Sequence, residues 1–177
     1  MILERAHIEL LMPERLSMLM VDRVVDYRGH QERSLSGEWF VSSDEPALAG
    51  HFGETRIWPG VYTIEGLRQS CVICDALGRL DRAGLLARFL ATRPPGAGEN
   101  ARGELSRSML DALAGDSSSS GPRASIQVKL LVPVLPECTV RYDVRQEHVA
   151  RDRWAVRATV GDRMAAKGVL ECPRSAD

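Results

Sequence analysis

The stretch from Val61 to Leu80 constrains this chain more than any other. Apolar residues recur at Val61, Ile64, Leu67, Cys71, Cys74 and Leu77/Gly78, every three or four positions, while Arg68, Asp75 and Arg79 fall elsewhere. The spacing predicts one long helix beginning directly after Pro59-Gly60. Its centre is too apolar to lie on an open surface, so other parts of the chain must wrap it.

The C-terminal third supplies wrapping material with a period of two. Ile126, Val128, Leu130 and Val132 form one apolar series, and Val140, Tyr142 and Val144 face away from Arg141, Asp143 and Arg145. Trp154, Val156, Ala158 and Val160 form the next, and Met164, Ala166, Leu170 and Cys172 close the set. Four antiparallel strands with one wet face follow, linked by hairpins at Gly161-Asp162 and Ala150-Arg151-Asp152. Upstream, Ala6 to Met12 predicts a short helix stopped by Pro13. Met18–Val21 and Ser34–Val41 read as strands joined by a polar loop from Asp26 to Arg33. The expectation is a single α+β domain over 1–177, with about six strands around one long helix.

Composition narrows the function. The chain has 177 residues and a formal net charge of -1, which gives no overall grip on nucleic acid or anionic lipid. No run approaches the roughly 20 apolar residues of a membrane span, and the first residues lack a secretory pattern, so a cytoplasmic location is expected. Of the four cysteines, Cys71 and Cys74 sit three apart inside the helical pattern with no His nearby. They read as small buried side chains rather than a zinc or redox pair, and nothing calls for a metal or a cofactor. Pro, Gly and Ser supply 14 of the 30 residues from 94 to 123, marking an insertion at about 91–123. It is either a tolerated surface loop or a lid or docking segment, and Leu105, Met109 and Leu113 share one helical face within it.

The chemistry concentrates between Gly50 and Gln69. His51 sits in a loop, Glu65 in the first turns of the apolar helix, and Pro59-Gly60 at the helix start, where free N–H groups can face a developing oxyanion. A base, an acid and an oxyanion donor in one short window make an acid/base site. A carboxylic acid in an apolar helix–sheet junction is expected to have a raised pKa and to stay protonated. The competing readings are a structural histidine at position 51 and a capping or salt-bridged glutamate at position 65.

These residues resemble the FabZ/FabA-type 3-hydroxyacyl-[acyl-carrier-protein] dehydratases. The family hallmark is Gly-His-Phe, then Pro-Gly, then an acid fourteen residues after the His and a Gln four further on. His51, Phe52, Pro59-Gly60, Glu65 and Gln69 stand at those positions. Leu11-Met12-Pro13-Glu14-Arg15 and Leu19 to Val24 are similar to the family's opening helix and first strand, and Val128-Lys129-Leu130 through Glu137 to a later strand and turn. The resemblance implies a hot-dog fold, with the sheet wrapped around the helix. It also implies paired subunits in which the His of one faces the acid of the other, a homodimer or heterodimer that in some relatives builds to a hexamer.

The roles implied are dehydration of a (3R)-3-hydroxyacyl thioester on acyl carrier protein to the trans-2-enoyl thioester, in fatty-acid or polyketide/polyene-type synthesis. His51 would take the C2 proton and Glu65 would protonate or hydrogen-bond the departing hydroxyl. The Gly60 N–H would polarise the carbonyl, and Gln69 would hold Glu65. Trp58 and Tyr62, with Ile64, are placed either to line an acyl tunnel or to pack the core. Arg68, Arg79, Arg82 and Arg88 are candidates for a patch that meets the acidic carrier. Three departures stand out: Gly53 where the family has Pro, Glu14 where it has His, and an unusual Trp58. A hot-dog acyl thioesterase, which activates water with a carboxylate, and a non-catalytic subunit pairing with an active partner are the alternatives.

Overall fold

The computed structural model describes residues 2–14, 16–29, 32–51, 53–92, 105–114, 125–148 and 152–171. Its axis is helix α2, Gly60–Arg82, which is 23 residues long. Leu67, Cys71, Ile73, Cys74, Leu77 and Leu80 are buried along it, and Arg79 and Arg82 in the last turn complement the negative end of its dipole. The predicted stripe holds from Leu67 onward. Val61 departs from it and is 65% exposed.

Seven strands wrap this helix: β1 (Leu3–Glu4), β2 (Arg23–Arg28), β3 (Ser34–Val41), β4 (Ser125–Leu130), β5 (Cys138–His148), β6 (Arg153–Val160) and β7 (Arg163–Glu171). Their order across the sheet is β1-β2-β3-β5-β6-β7-β4, and every neighbouring pair is antiparallel. The inner face carries Leu35, Trp39, Val140, Tyr142, Val144, Trp154, Val156 and Ala158, which pack with α2 in one core. Helix α1 (Arg5–Leu11) adds Ile8 and Leu10. Helix α3 (Leu86–Leu90) adds Phe89.

Two strand expectations are corrected. Met18–Val21 is not a strand: Leu16–Met18 forms one 3-10 turn, Leu19 to Val21 are buried coil, and pairing begins at Arg23. The cause is the Gln69 side chain, whose Oε1 accepts from the Met20 N–H at 2.8 Å, so a helix side chain takes a donor that a ladder would have used. β4 departs in another way. Its apolar series was expected to face inward, yet Ile126 is 53% and Leu130 is 54% exposed on the terminal strand of the sheet.

The insertion carries helix α4, Arg107–Ala114, which buries Met109, with Leu105 buried just before it. The rest of the insertion, Phe52, the Ala150-Arg151 link and Cys172 lie outside the described residues. Cys71 and Cys74 are buried and not in a disulfide, and burial pushes the Cys74 thiol up to about 12, which keeps it protonated and unreactive. Among the described residues, no helix is long and apolar enough to cross a membrane.

Helix and sheet meet most closely where Gly66 faces Tyr142. A Cβ at Gly66 would overlap the Tyr142 ring, so only glycine admits this approach. The Tyr142 hydroxyl is fully enclosed and lacks a hydrogen-bond partner among the described residues. Gly66→Ala is expected to cost about 1–3 kcal/mol through overpacking. Tyr142→Phe is expected to leave stability unchanged or raise it by about 1 kcal/mol, since it removes an unsatisfied hydroxyl. Urea unfolding of the two variants checks both signs.

Candidate active site

His51 lies in the loop between a single 3-10 turn (Pro46–Leu48) and α2. Its backbone N–H reaches Leu48 O at 3.4 Å, and its Nδ1 donates to the Ile57 carbonyl at 2.7 Å. Because a carbonyl can only accept, this bond puts the proton on Nδ1 and the basic lone pair of the neutral ring on Nε2. Gly53 has φ +65°, in the left-handed region. Proline, locked near -65°, cannot take that angle. The loop therefore follows a path closed to a chain with Pro at this position.

His51 opens onto a cleft of about 360 Å³ lined by Ile57, Trp58, Gly60, Thr63, Leu130 and Val134 among others. The Trp58 N–H donates to Val134 O at 2.8 Å, which seats the Trp58 ring in the cleft wall, 2% exposed and 5.2 Å from Tyr62. Gly60, at the α2 N-terminus, lies under the Leu130 side chain. A thioester carbonyl reaching this point meets the first N–H groups of the helix.

Glu65 is elsewhere. At 3.6 residues per turn it sits about 140° round the helix from Gly60 and about 160° from Thr63, so α2 itself separates it from the His51 cleft. Its carboxylate takes a forked pair of bonds from Arg68, Nε to Oε2 at 2.8 Å and Nη2 to Oε1 at 2.7 Å. Gln69 Nε2 donates to the same Oε1 at 2.9 Å. Arg68 Nη2 also reaches Glu14 at 2.6 Å.

This overturns the expectation of a raised pKa. Burial does push the Glu65 carboxyl up, but the Arg68 and Gln69 hydrogen bonds and the Arg68 charge outweigh it, and the net displacement is downward. In the free chain Glu65 is a carboxylate, the salt-bridged alternative raised by the sequence. Arg68 is correspondingly held more firmly protonated by its two carboxylates.

Two of the four candidate carrier-patch arginines are thus engaged internally, Arg68 with Glu65 and Glu14, and Arg79 with Asp75 at 2.6 Å. Arg82 and Arg88 are exposed. Sequence reasoning missed the pairing of Arg68. The signal was available, since Arg68 stands one helical turn after Glu65 and an acid replaces a His at position 14.

A solved structure titled "The Dehydratase Heterocomplex ApeI:P from Xenorhabdus doucetiae" superimposes with TM-score 0.59 and 11% identity, covering 96% of this chain and 91% of that one. Together with the sheet wrapped on α2, it defines a hot-dog fold. Residues 12–92 match the FabA-like domain. A "3-hydroxyacyl-[acyl-carrier-protein] dehydratase FabZ" of Actinobacillus succinogenes is 40% identical over 74 residues, 39% of this chain and 45% of that protein. The namesake of Rhodopseudomonas palustris is 46% identical over 59 residues, 33% and 38% respectively. Through this segment the chain is similar to the FabA-like domain and to FabZ dehydratases, and the match spans about half the length, or less, of these curated relatives.

The Glu65 arrangement yields a direct test. In Arg68→Met the Glu65 carboxyl is expected to titrate at a higher pH than in the parent chain, because burial then acts with less opposition. A carbon-detected NMR titration of the side-chain carboxyl measures it, and an unmoved titration would contradict this account. A carboxyl depressed in the folded state contributes stability above its unfolded pKa and loses it as pH falls through the folded value. Arg68→Met should therefore flatten the acid limb of stability against pH.

Proposed function

We propose that the chain acts as one of a pair of subunits that dehydrates a (3R)-3-hydroxyacyl thioester carried on acyl carrier protein, giving the trans-2-enoyl thioester and water. The observation that carries this reading is the His51–Ile57 bond, which presents Nε2 as a base in an apolar cleft ending at a helix N-terminus. His51 Nε2 takes the C2 proton while the carbonyl oxygen rests on the Gly60 N–H. The C2–H electron pair becomes the double bond, the C3–O bond breaks, and the oxygen leaves as water with a proton delivered by Glu65. Trp58 and Tyr62 form a wall for the chain next to the thioester, and Gln69 fixes the acid.

Two observations support pairing. Glu65 and His51 lie on different sides of α2, so one chain does not unite them. The terminal strand β4 also presents apolar Ile126 and Leu130, with Leu131 just beyond it, on an unpaired edge that a second subunit would cover. An identical copy is the simplest partner. The clamp on Glu65 favours one further reading, a chain that lends His51 to a different subunit whose acid is not neutralised. Activity that appears only on co-expression with such a homologue would select it.

Purified protein with a 3-hydroxyacyl carrier protein is expected to form the enoyl product, read by mass spectrometry of the carrier. His51→Ala should reduce turnover by roughly 10²–10⁴-fold, the range for loss of a general base. Undiminished turnover in that variant ends the assignment. Since Glu65 must gain a proton against the pull of Arg68, the acid-dependent limb of kcat should extend to higher pH in Arg68→Met. Release of free thiol without enoyl formation would point to a thioesterase instead.

A further inference from the structure

A second cavity, of about 560 Å³, lies between α2 and the insertion helix α4. Leu11, Val72, Leu110, Leu113, Trp154 and Leu170 are among its walls. α4 turns Met109 into the core and leaves Leu110, 38% exposed, at the cavity, which Val72, also 38% exposed, lines from α2. Apolar side chains from both helices on one partly open space form a site for an apolar occupant.

The charged groups on these walls do not ask for a charged ligand. Arg68 is held by Glu65 and Glu14, Asp75 by Arg33 at 3.1 Å and Arg79 at 2.6 Å, and Asp152 Oδ1 accepts from Gln146 at 3.1 Å and from the Trp154 indole N–H at 2.9 Å. The position relative to Glu65 supplies the rest. On the helical net, Val72 and Ala76 fall within about 20° of Glu65, and Arg79 within about 40°. The cavity thus runs along the face of α2 that carries Glu65, beginning about one turn beyond it and ending at Arg79, roughly 20 Å from Glu65 along the helix. A substrate whose C3 hydroxyl meets Glu65 and whose chain continues toward the C-terminal end of α2 would pass the aliphatic stem of Arg68 along this face.

We infer that the α2/α4 cavity receives the distal, apolar end of the acyl chain, and that Leu110 and Leu113 of the insertion helix set the chain length the protein accepts. This rests on the dehydratase reading for the hydroxyl at Glu65. It adds a substrate class, long-chain acyl groups, and gives the insertion a specific task.

Two measurements on the full chain test it. A non-hydrolysable long-chain 3-hydroxyacyl pantetheine amide with a terminal diazirine is photolysed on the protein, and labelled peptides are mapped by mass spectrometry. Labels on α4 or on the Val72 turn support the inference, and labels confined to the His51 cleft or the outer sheet face overturn it. In parallel, Leu110→Trp and Leu113→Trp fill the cavity. The ratio of long-chain to short-chain kcat/KM is expected to fall by about tenfold or more in each. An unchanged ratio in both variants overturns the inference even when turnover is normal. Labelling in the cavity with no enoyl product from any substrate would strike the dehydratase reading alone.

Discussion

The amide of Gln69 ties the structure together. It is fully buried, and both of its Nε2 protons are used, one on Met18 O at 2.7 Å and one on Glu65 at 2.9 Å, while Oε1 takes the Met20 N–H. A buried amide left half satisfied costs about 1–3 kcal/mol, so this group has strong reason to keep all three partners. It fixes the entry of the chain into β2, the rotation of α2 against that entry, and the place of the Glu65 carboxylate in one stroke. Loss of any one bond would disturb both the covering of the helix and the electrostatics of the acid.

Much of this was legible in the residues. The period of α2 and the alternation of β5, β6 and β7 reflect local burial, which a sequence records directly. The helix within the insertion was visible in the spacing of Leu105, Met109 and Leu113. His51, Glu65 and Gln69 were singled out by residue type together with the resemblance to the dehydratase motif, whose separations they match. What stayed hidden depends on distant contacts. The coil at Leu19–Val21 has the apolar content of a strand and differs only because a glutamine some 50 residues away claims its N–H. The charge state of Glu65 depends on whether the bonds from Arg68 and Gln69 outweigh burial, which spacing alone does not decide, and Glu14 completes a triangle with Arg68 from far upstream.

The triangle also recasts the departures from the family pattern. Glu14 is a second partner for Arg68, and it is Arg68 with Gln69 that turns an acid in an apolar junction into an ion-paired carboxylate. Such a cluster is only half-buried, so its Coulomb energy is screened by solvent and its effect falls mainly on protonation. Gly53 belongs to the same pattern of local accommodation, since its left-handed backbone redirects the loop that holds His51.

The outer edge of the sheet holds a further consequence. The chain has only two lysines, Lys129 and Lys167, and they stand directly opposite each other on β4 and β7. Like charges in that arrangement repel, and an edge strand carrying lysine resists indiscriminate pairing. The apolar residues around them invite a neighbour, while the two ammonium groups penalise any register that crowds them with a third. The edge thus behaves as a keyed surface, in which hydrophobic area supplies the attraction and one small block of positive charge restricts the alignment at which a neighbour can settle.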